Sequence, residues 1–269
     1  MSLQDVLKDK STNLFELFII DCPFLEDFTD EPCPTSLKTL YVHECRKLEL
    51  LQSLEKMQNF KFLENLFIGS SCNTLKSFPM NLFPKLKILC IWDCPNLESF
   101  SMEEGEYNDG LSLESLEIRD CSNLVSFPKM GLRSPNLRTL SGLDRLQRFE
   151  IESGCMGLKS FPQKFLLPVN LNSLYISKLT SLEVLDHDGL QKLTALQSLE
   201  INCCKKLQSF PEFLPSSLTS LCIKESPLLS QKLLDKSSSH WHKIAHISNI
   251  QIDNNVISKD EWYFGGTRA

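Results

Sequence analysis

No apolar run in this chain of 269 residues approaches the ~18–20 residues that a membrane span requires. No membrane span is therefore expected. The opening MSLQDVLKDK lacks the continuous apolar core of a secretory signal peptide. No Asn-x-Ser/Thr glycosylation acceptor occurs anywhere. Clustered Lys and Arg are missing too: the formal charge is −6 and the basic residues stand singly, so no nucleic-acid partner is expected. Gly-x-Ser-x-Gly, kinase and zincin signatures are all absent. The acidic stretch SMEEGEYNDG (101–110) lacks the D-x-D-x-D-G spacing of a calcium loop and reads as an exposed loop. These absences point away from an enzyme.

Eleven cysteines are present, an odd number. Seven of them, Cys22, Cys45, Cys72, Cys94, Cys121, Cys155 and Cys204, recur at one place in a repeating pattern. Cysteines in such a column serve as small buried residues rather than disulfide partners. With no signal and no glycosylation site, this favours a reducing, cytoplasmic setting.

The repeat itself reads L-x-x-L-x-I-x-x-C-x-x-L-x-x-F, often followed by Pro. Residues 113–128, LESLEIRDCSNLVSFP, return at 196–211 as LQSLEINCCKKLQSFP. Copies begin at Leu14, Leu37, Leu63, Leu86, Leu113, Leu146, Leu171, Leu196 and Leu218, spaced 22 to 33 residues apart. That period and the L-x-x-L-x-L-x-x-N/C pattern are those of leucine-rich repeats. Each L-x-I core alternates with period two, as a strand does, and the following residues carry the chain back to the next strand. The expected fold is an α/β repeat solenoid: a leucine-rich-repeat horseshoe with one parallel sheet on the concave face and mostly irregular convex returns. Leu116, Ile118, Cys121, Leu124 and Phe127 should point inward, as should Leu199, Ile201, Cys204, Leu207 and Phe210. Phe78, Phe100, Phe161 and Phe210 should stack as a column of rings, with Pro79, Pro128, Pro162 and Pro211 ending each run.

Smaller features refine this picture. The copies at 63 and 146 hold one extra residue before Cys72 and Cys155, which predicts a bulge. The copy at 171 has Leu179 in place of the cysteine. A degenerate strand is expected at 137–140, and a helical return only around 188–195. Residues 1–13 read as the remnant of an incomplete repeat, with LQDVLKDK as its back half, so the chain reads as a piece of something longer. Residues 14–239 form about nine repeats. Residues 240–253, HWHKIAHISNIQID, form a cap with Trp241, Ile244, Ile247, Ile250 and Ile252 inward, and 254–269 a flexible tail.

The columns L-x-x-L-x-I-x-x-C-x-x-L-x-S-F-P, the stretch LPSSLTSLCIKESPLLSQK (214–232) and the ending W-H-K-I-A-H-I-x-x-I-x-I together resemble one family. It is the carboxyl-terminal leucine-rich-repeat region of plant intracellular immune receptors, the coiled-coil nucleotide-binding class. The resemblance implies a role in defence response. It implies recognition of a protein partner: a pathogen effector, a host protein, or the adjacent nucleotide-binding domain. No phosphate-cradling G-x-x-x-x-G-K-[ST] occurs here, so nucleotide binding does not carry over and no cofactor is expected. The alternative is a stand-alone leucine-rich-repeat adaptor, such as a substrate-recruiting subunit of a ubiquitin ligase.

Recognition should use the variable positions on the concave side. Early repeats place an aromatic stripe there, Phe18, Tyr41, Phe67 and Trp92. Later repeats place an acidic stripe, Glu117, Glu150, Glu152 and Glu200, with Arg119 and Tyr175 beside it. Exposed aromatics in a row have the composition of an interface, although they are also good strand formers. His240, His242 and His246 with Cys222 lack a C-x-x-C pair, so no metal is expected. Cys203 is read as an exposed thiol and Asp186-His187-Asp188 as a turn.

Overall fold

The structure, a computed structural model, describes residues 13–26, 35–49, 60–101, 112–124, 145–155, 158–162, 166–235 and 239–258. Residues 1–12 of the remnant expected at 1–13, the acidic loop from 102, Phe127 and Pro128, the strand expected at 137–140 and the tail from 259 lie outside the described residues. The chain forms two compact units, Met1–Leu146 and Gln147–Ala269.

In the first unit, five strands pair in parallel in chain order: β1 (Glu16–Ile20), β2 (Thr39–His43), β3 (Asn65–Gly69), β5 (Ile88–Trp92) and β7 (Ser115–Arg119). The register sets like letter against like letter, so Leu40, Leu66, Leu89 and Leu116 lie in one row and Val42, Ile68, Ile91 and Ile118 in another. All eight are fully buried. Burying each contributes about 1.5–3 kcal/mol relative to exposure, and it fixes the register, because a slip by one residue would turn every Leu outward. The first repeat is less covered. Leu14, Leu17, Cys22 and Leu25 are only half-buried, so Cys22 does not join the fully buried column.

One device ends every strand. The second residue after the inward Ile or Val adopts a left-handed backbone: Asp21, Glu44, Ser70, Asp93, Asp120, Ser153, Lys178, Cys203 and Glu225, with φ between 47° and 62°. The chain then dives inward at the cysteine, whose carbonyl accepts the N–H of the Leu three residues on. Leu48 to Cys45 spans 3.1 Å, Leu97 to Cys94 3.1 Å and Leu207 to Cys204 3.1 Å. This turn is why C-x-x-L recurs at fixed spacing. The thiols donate in turn to the carbonyl two residues back, as Cys94 Sγ does to Trp92 O (3.5 Å) and Cys204 Sγ to Asn202 O (3.4 Å).

The extra residue at 63–72 splits this job between two side chains. Ser71 takes the buried column slot, accepting the Cys45 N–H (2.8 Å) and donating to Gly69 O (2.7 Å). Cys72 follows it, with φ 53°, and closes the turn to Leu75 at 2.8 Å. Ser226 fills the column in the repeat that begins at Leu218, accepting the Cys204 N–H at 3.1 Å.

In the first unit aromatic rings form a second layer behind the sheet. Phe78, Phe100, Phe161 and Phe210 are all buried. Phe78 and Phe100 lie 6.0 Å apart, on the short parallel strands β4 (Ser77–Pro79) and β6 (Ser99–Ser101). Phe83 stacks on Phe78 at 5.1 Å and Phe60 on Phe83 at 5.7 Å. Both added rings stand three residues before the opening Leu of a repeat, where their carbonyls close a turn onto Leu63 and Leu86.

The second unit repeats the plan. Here β8 (Arg148–Glu152), β10 (Ser173–Ser177), β12 (Ser198–Asn202), β13 (Ser220–Lys224) and β14 (Asn249–Ile252) run parallel, and Phe161 lies on β9 (Ser160–Phe161) paired with β11 (Val184–Leu185). The helical return is α1 (His187–Gln191), which overlaps the region expected to be helical and starts one residue before it. A second helix, α2 (Pro227–Leu234), was not anticipated. Pro at its start and Leu229 and Leu233 one turn apart on its buried side account for it. The cap is α3 (Ser239–Ile244), burying Trp241 and Ile244, followed by β14 with Ile250 and Ile252 buried. Residues from 254 do not simply trail away: β15 (Asn255–Ser258) folds back antiparallel on β14 and buries Ile257. The two-residue link Asp253–Asn254, with Asp253 at φ 50°, is a hairpin turn, and it covers the sheet edge that β14 would otherwise expose.

Replacing Leu89, fully buried in the middle of the first unit's sheet, by Ala should lower the unfolding free energy by about 2–5 kcal/mol. Urea denaturation followed by far-ultraviolet circular dichroism measures this. A loss of under about 0.5 kcal/mol, the size of an ordinary surface substitution, would contradict the packing described.

Candidate protein-recognition face

With Leu and Ile inward, the alternate residues of β1, β2, β3, β5 and β7 stand on the open face of the first unit's sheet. Phe18, Tyr41 and Phe67 fall in register. Their rings touch: Phe18–Tyr41 centroids lie 5.7 Å apart and Tyr41–Phe67 5.9 Å. Trp92 sits two residues further along its strand, in register with Gly69. Its indole does not stand up from the sheet but lies across Gly69. A Cβ at position 69 would overlap indole atoms Cε2, Cζ2 and Nε1. From there the ring reaches over β3 to Tyr41 (5.6 Å) and His43 (5.9 Å).

The stripe of four aromatics is therefore a fused cluster of five rings, with Trp92 as its roof and His43 as a member the sequence reading passed over. The signal was available: a glycine in the column directly beside a tryptophan. Phe18 is 57% exposed, while Tyr41, Phe67 and Trp92 are half-buried by one another. Side chains already held by neighbours lose little freedom when a partner covers them.

The acidic stripe is corrected by the structure. Glu150, expected on the surface, is buried at 4% exposure, with Arg148 Nη2 3.2 Å from its Oε2. Burial of a carboxylate requires such a cation. Glu117 Oε1 lies 2.6 Å from Arg119 Nε, Glu152 Oε1 lies 2.8 Å from Lys178 Nζ, and Glu200 Oε1 accepts Asn202 Nδ2 at 3.1 Å. Asn202 also donates to the Tyr175 hydroxyl at 3.2 Å. These acids are engaged within the chain, so they do not form a bare negative stripe. Glu117 and Arg119 belong to the first unit; Glu150, Glu152, Tyr175 and Glu200 belong to the second.

The remaining candidates resolve into structural roles. Asp186 caps α1 by accepting the Gly189 N–H at 2.8 Å. His246 Nε2 sits 3.3 Å from Pro215 O. Burial pushes the thiols of Cys94, Cys155 and Cys204 up to about 11, 12 and 11. Cys203 is half-exposed, but it donates to Glu225 Oε2 at 3.2 Å, and that carboxylate also raises its pKa. A thiol held protonated is a poor nucleophile.

Two outcomes follow from this geometry. In protein labelled with 5-fluorotryptophan, Gly69→Ala should shift the one fluorine resonance that Trp92→Phe removes, leaving the other two tryptophans unmoved. An unshifted resonance would mean the indole does not lie on Gly69. Glu225→Gln should lower the Cys203 pKa and so raise its thiolate fraction and its alkylation rate at mildly alkaline pH, read by peptide mass spectrometry. An unchanged rate would show that the carboxylate does not control the thiol.

No family model matches the chain. Among curated proteins, a disease resistance protein of Arabidopsis thaliana is 34% identical across 96% of this chain. An RPP13-like disease resistance protein of the same plant is 33% identical across 48% of it. The chain spans 22% and 12% of those two relatives' lengths. Among solved structures, the leucine-rich repeat domain of the type III effector XopL is 21% identical, aligns over 84% of this chain and 65% of its own, and has a TM-score of 0.44. Homology along nearly all of its length shows that this chain, a leucine-rich-repeat solenoid, belongs with the plant disease resistance proteins.

Proposed function

We propose that the chain is the protein-recognition module of a plant immune receptor, and that it binds a pathogen effector or a host protein through the open face of its first unit. The observation that carries this reading is the five-ring cluster around Tyr41, seated on a sheet whose register is locked by the rows behind it. Aromatic anchors of this kind dominate protein interfaces, because each covers a large area at small entropic cost. The names of the relatives supply the defence context. A neighbouring nucleotide-binding domain is the second partner in this reading. Binding that favours one arrangement of receptor and repeats over another shifts the receptor toward its signalling state. The free cysteines support a location inside the cell, where thiols stay reduced.

The chain should lose partner binding when Phe18, Tyr41, Phe67 and Trp92 are replaced together by Ala. The affinity for a co-expressed effector or host target, measured by biolayer interferometry, should fall at least about thirtyfold, the effect of losing even one strong aromatic anchor. Thermal unfolding followed by circular dichroism checks that the fold is kept. Unchanged affinity in a folded variant would overturn the proposal.

A further inference from the structure

The left-handed residues that end the strands form a row of their own, one position beyond the row of Ile20, His43, Gly69, Trp92 and Arg119. In the first unit this row reads Asp21, Glu44, Ser70, Asp93 and Asp120. The four acids are exposed. Turn chemistry alone does not demand this: Asp tolerates the left-handed region, but so do other residues here. The same position in the second unit holds Ser153, Lys178, Cys203 and Glu225, a mixed set. The acidic run is thus particular to the unit that carries the aromatic cluster. Neighbouring strands stand about 4.8 Å apart and successive residues about 3.3 Å, so each carboxylate lies within one long side chain's reach of the rings. Asp93 follows Trp92 directly and also accepts the Ser70 hydroxyl at 2.7 Å.

The opposite rim of the same sheet has the opposite sign. Lys38, Lys61 and Lys85 gather around the Phe62 ring with their ammonium groups 6.0, 5.2 and 5.3 Å from its centroid. Lys38 and Lys87 share Glu64, at 3.2 and 2.6 Å. Among the described residues, Glu16, Asp21, Glu44, Asp93, Glu117 and Asp120 stand on the open face and the acidic rim, where Arg119 is engaged by Glu117 at 2.6 Å and the His43 ring lies 3.7 Å from Glu44 Oε1. A cation reaching this face is repelled at one rim and attracted at the other. It finds the faces of Trp92 and Tyr41 in between, and tryptophan is the best of the aromatic surfaces for holding a cation.

We propose that the occupant of this face is a Lys- or Arg-bearing segment of a partner protein, laid along the acidic rim with its basic side chains over the Trp92–Tyr41 rings and its apolar ones on Phe18 and Phe67. This rests on the recognition reading above and adds the chemistry of the partner to it. The acidic rim sets the orientation and the rate of encounter, and the rings supply the lasting contact.

The test uses the full chain and three sets of synthetic peptides that share their apolar residues but carry Lys and Arg, no charge, or Asp and Glu. Binding is read by fluorescence anisotropy at low and at high salt. The basic set should bind, and weaken as salt rises. Asp21→Asn, Asp93→Asn and Asp120→Asn together should weaken it about tenfold, three exposed ion pairs' worth, while Asn keeps the left-handed turns comfortable. Trp92→Ala should weaken it at least as much. Circular dichroism confirms that both variants fold. If all three sets bind alike and the Asn variant is silent while Trp92→Ala weakens every set, the basic-partner inference is overturned and the aromatic recognition reading stands. If Trp92→Ala is silent and only the Asn variant matters, the aromatic reading itself is overturned, and this inference with it.

Discussion

Everything in this molecule depends on how each strand stops. A backbone that turns left-handed at one fixed residue, then dives inward at a thiol or hydroxyl in most repeats and at Leu179 in one, makes each repeat end where its neighbour ends. The inward group is small enough for the column and polar enough to meet a carbonyl: a cysteine donates two residues back, and Ser71 and Ser226 do the same while accepting an N–H from the repeat before. Buried polar backbone must be paired, and this ladder pairs it at the one place in the repeat where the sheet ladder gives out. With the ends aligned, the Leu and Ile rows align. With those aligned, the variable positions of successive repeats fall into straight columns on the open face.

That dependence explains what the sequence made legible. The Leu, Ile and Cys rows are near-constant letters repeated along the chain, so strands, register and core could be read with little more than the spacing. The cap at Trp241 and Ile244 was readable for the same reason, as an apolar pattern with no polar alternative. Three features were not. The burial of Glu150 depends on Arg148 folding over it, and a carboxylate at a variable position carries no mark of its partner. The neutralisation of the other acids is likewise a matter of rotamers and of residues a repeat apart, as with Glu152 and Lys178. The strand at Asn255–Ser258 is short and polar outside Val256 and Ile257, and only a sheet edge waiting beside it makes it a strand.

The candidate site was half legible. The aromatic residues could be named from their columns, but their fusion into one cluster could not, because it runs across strands through the missing side chain of Gly69. The acidic rim was hidden differently. Asp at a turn is ordinary, and only the contrast between the two units, with Lys178 and Cys203 at matching positions, separates a surface property from a turn requirement. In a repeat fold the internal copies act as controls for one another: what every copy shares belongs to the scaffold, and what one run of copies alone carries is free to serve binding.

A defence-related repeat module built this way can vary the letters of its open face while the rows behind them hold the fold. The direct measurement is photocrosslinking with p-benzoylphenylalanine in place of Phe67, at the centre of the ring cluster, and separately in place of Lys47, on the return side of the same unit. The account predicts that a bound effector or host protein is captured from position 67 and not from position 47. Capture from 47 alone would place recognition on the returns and contradict it.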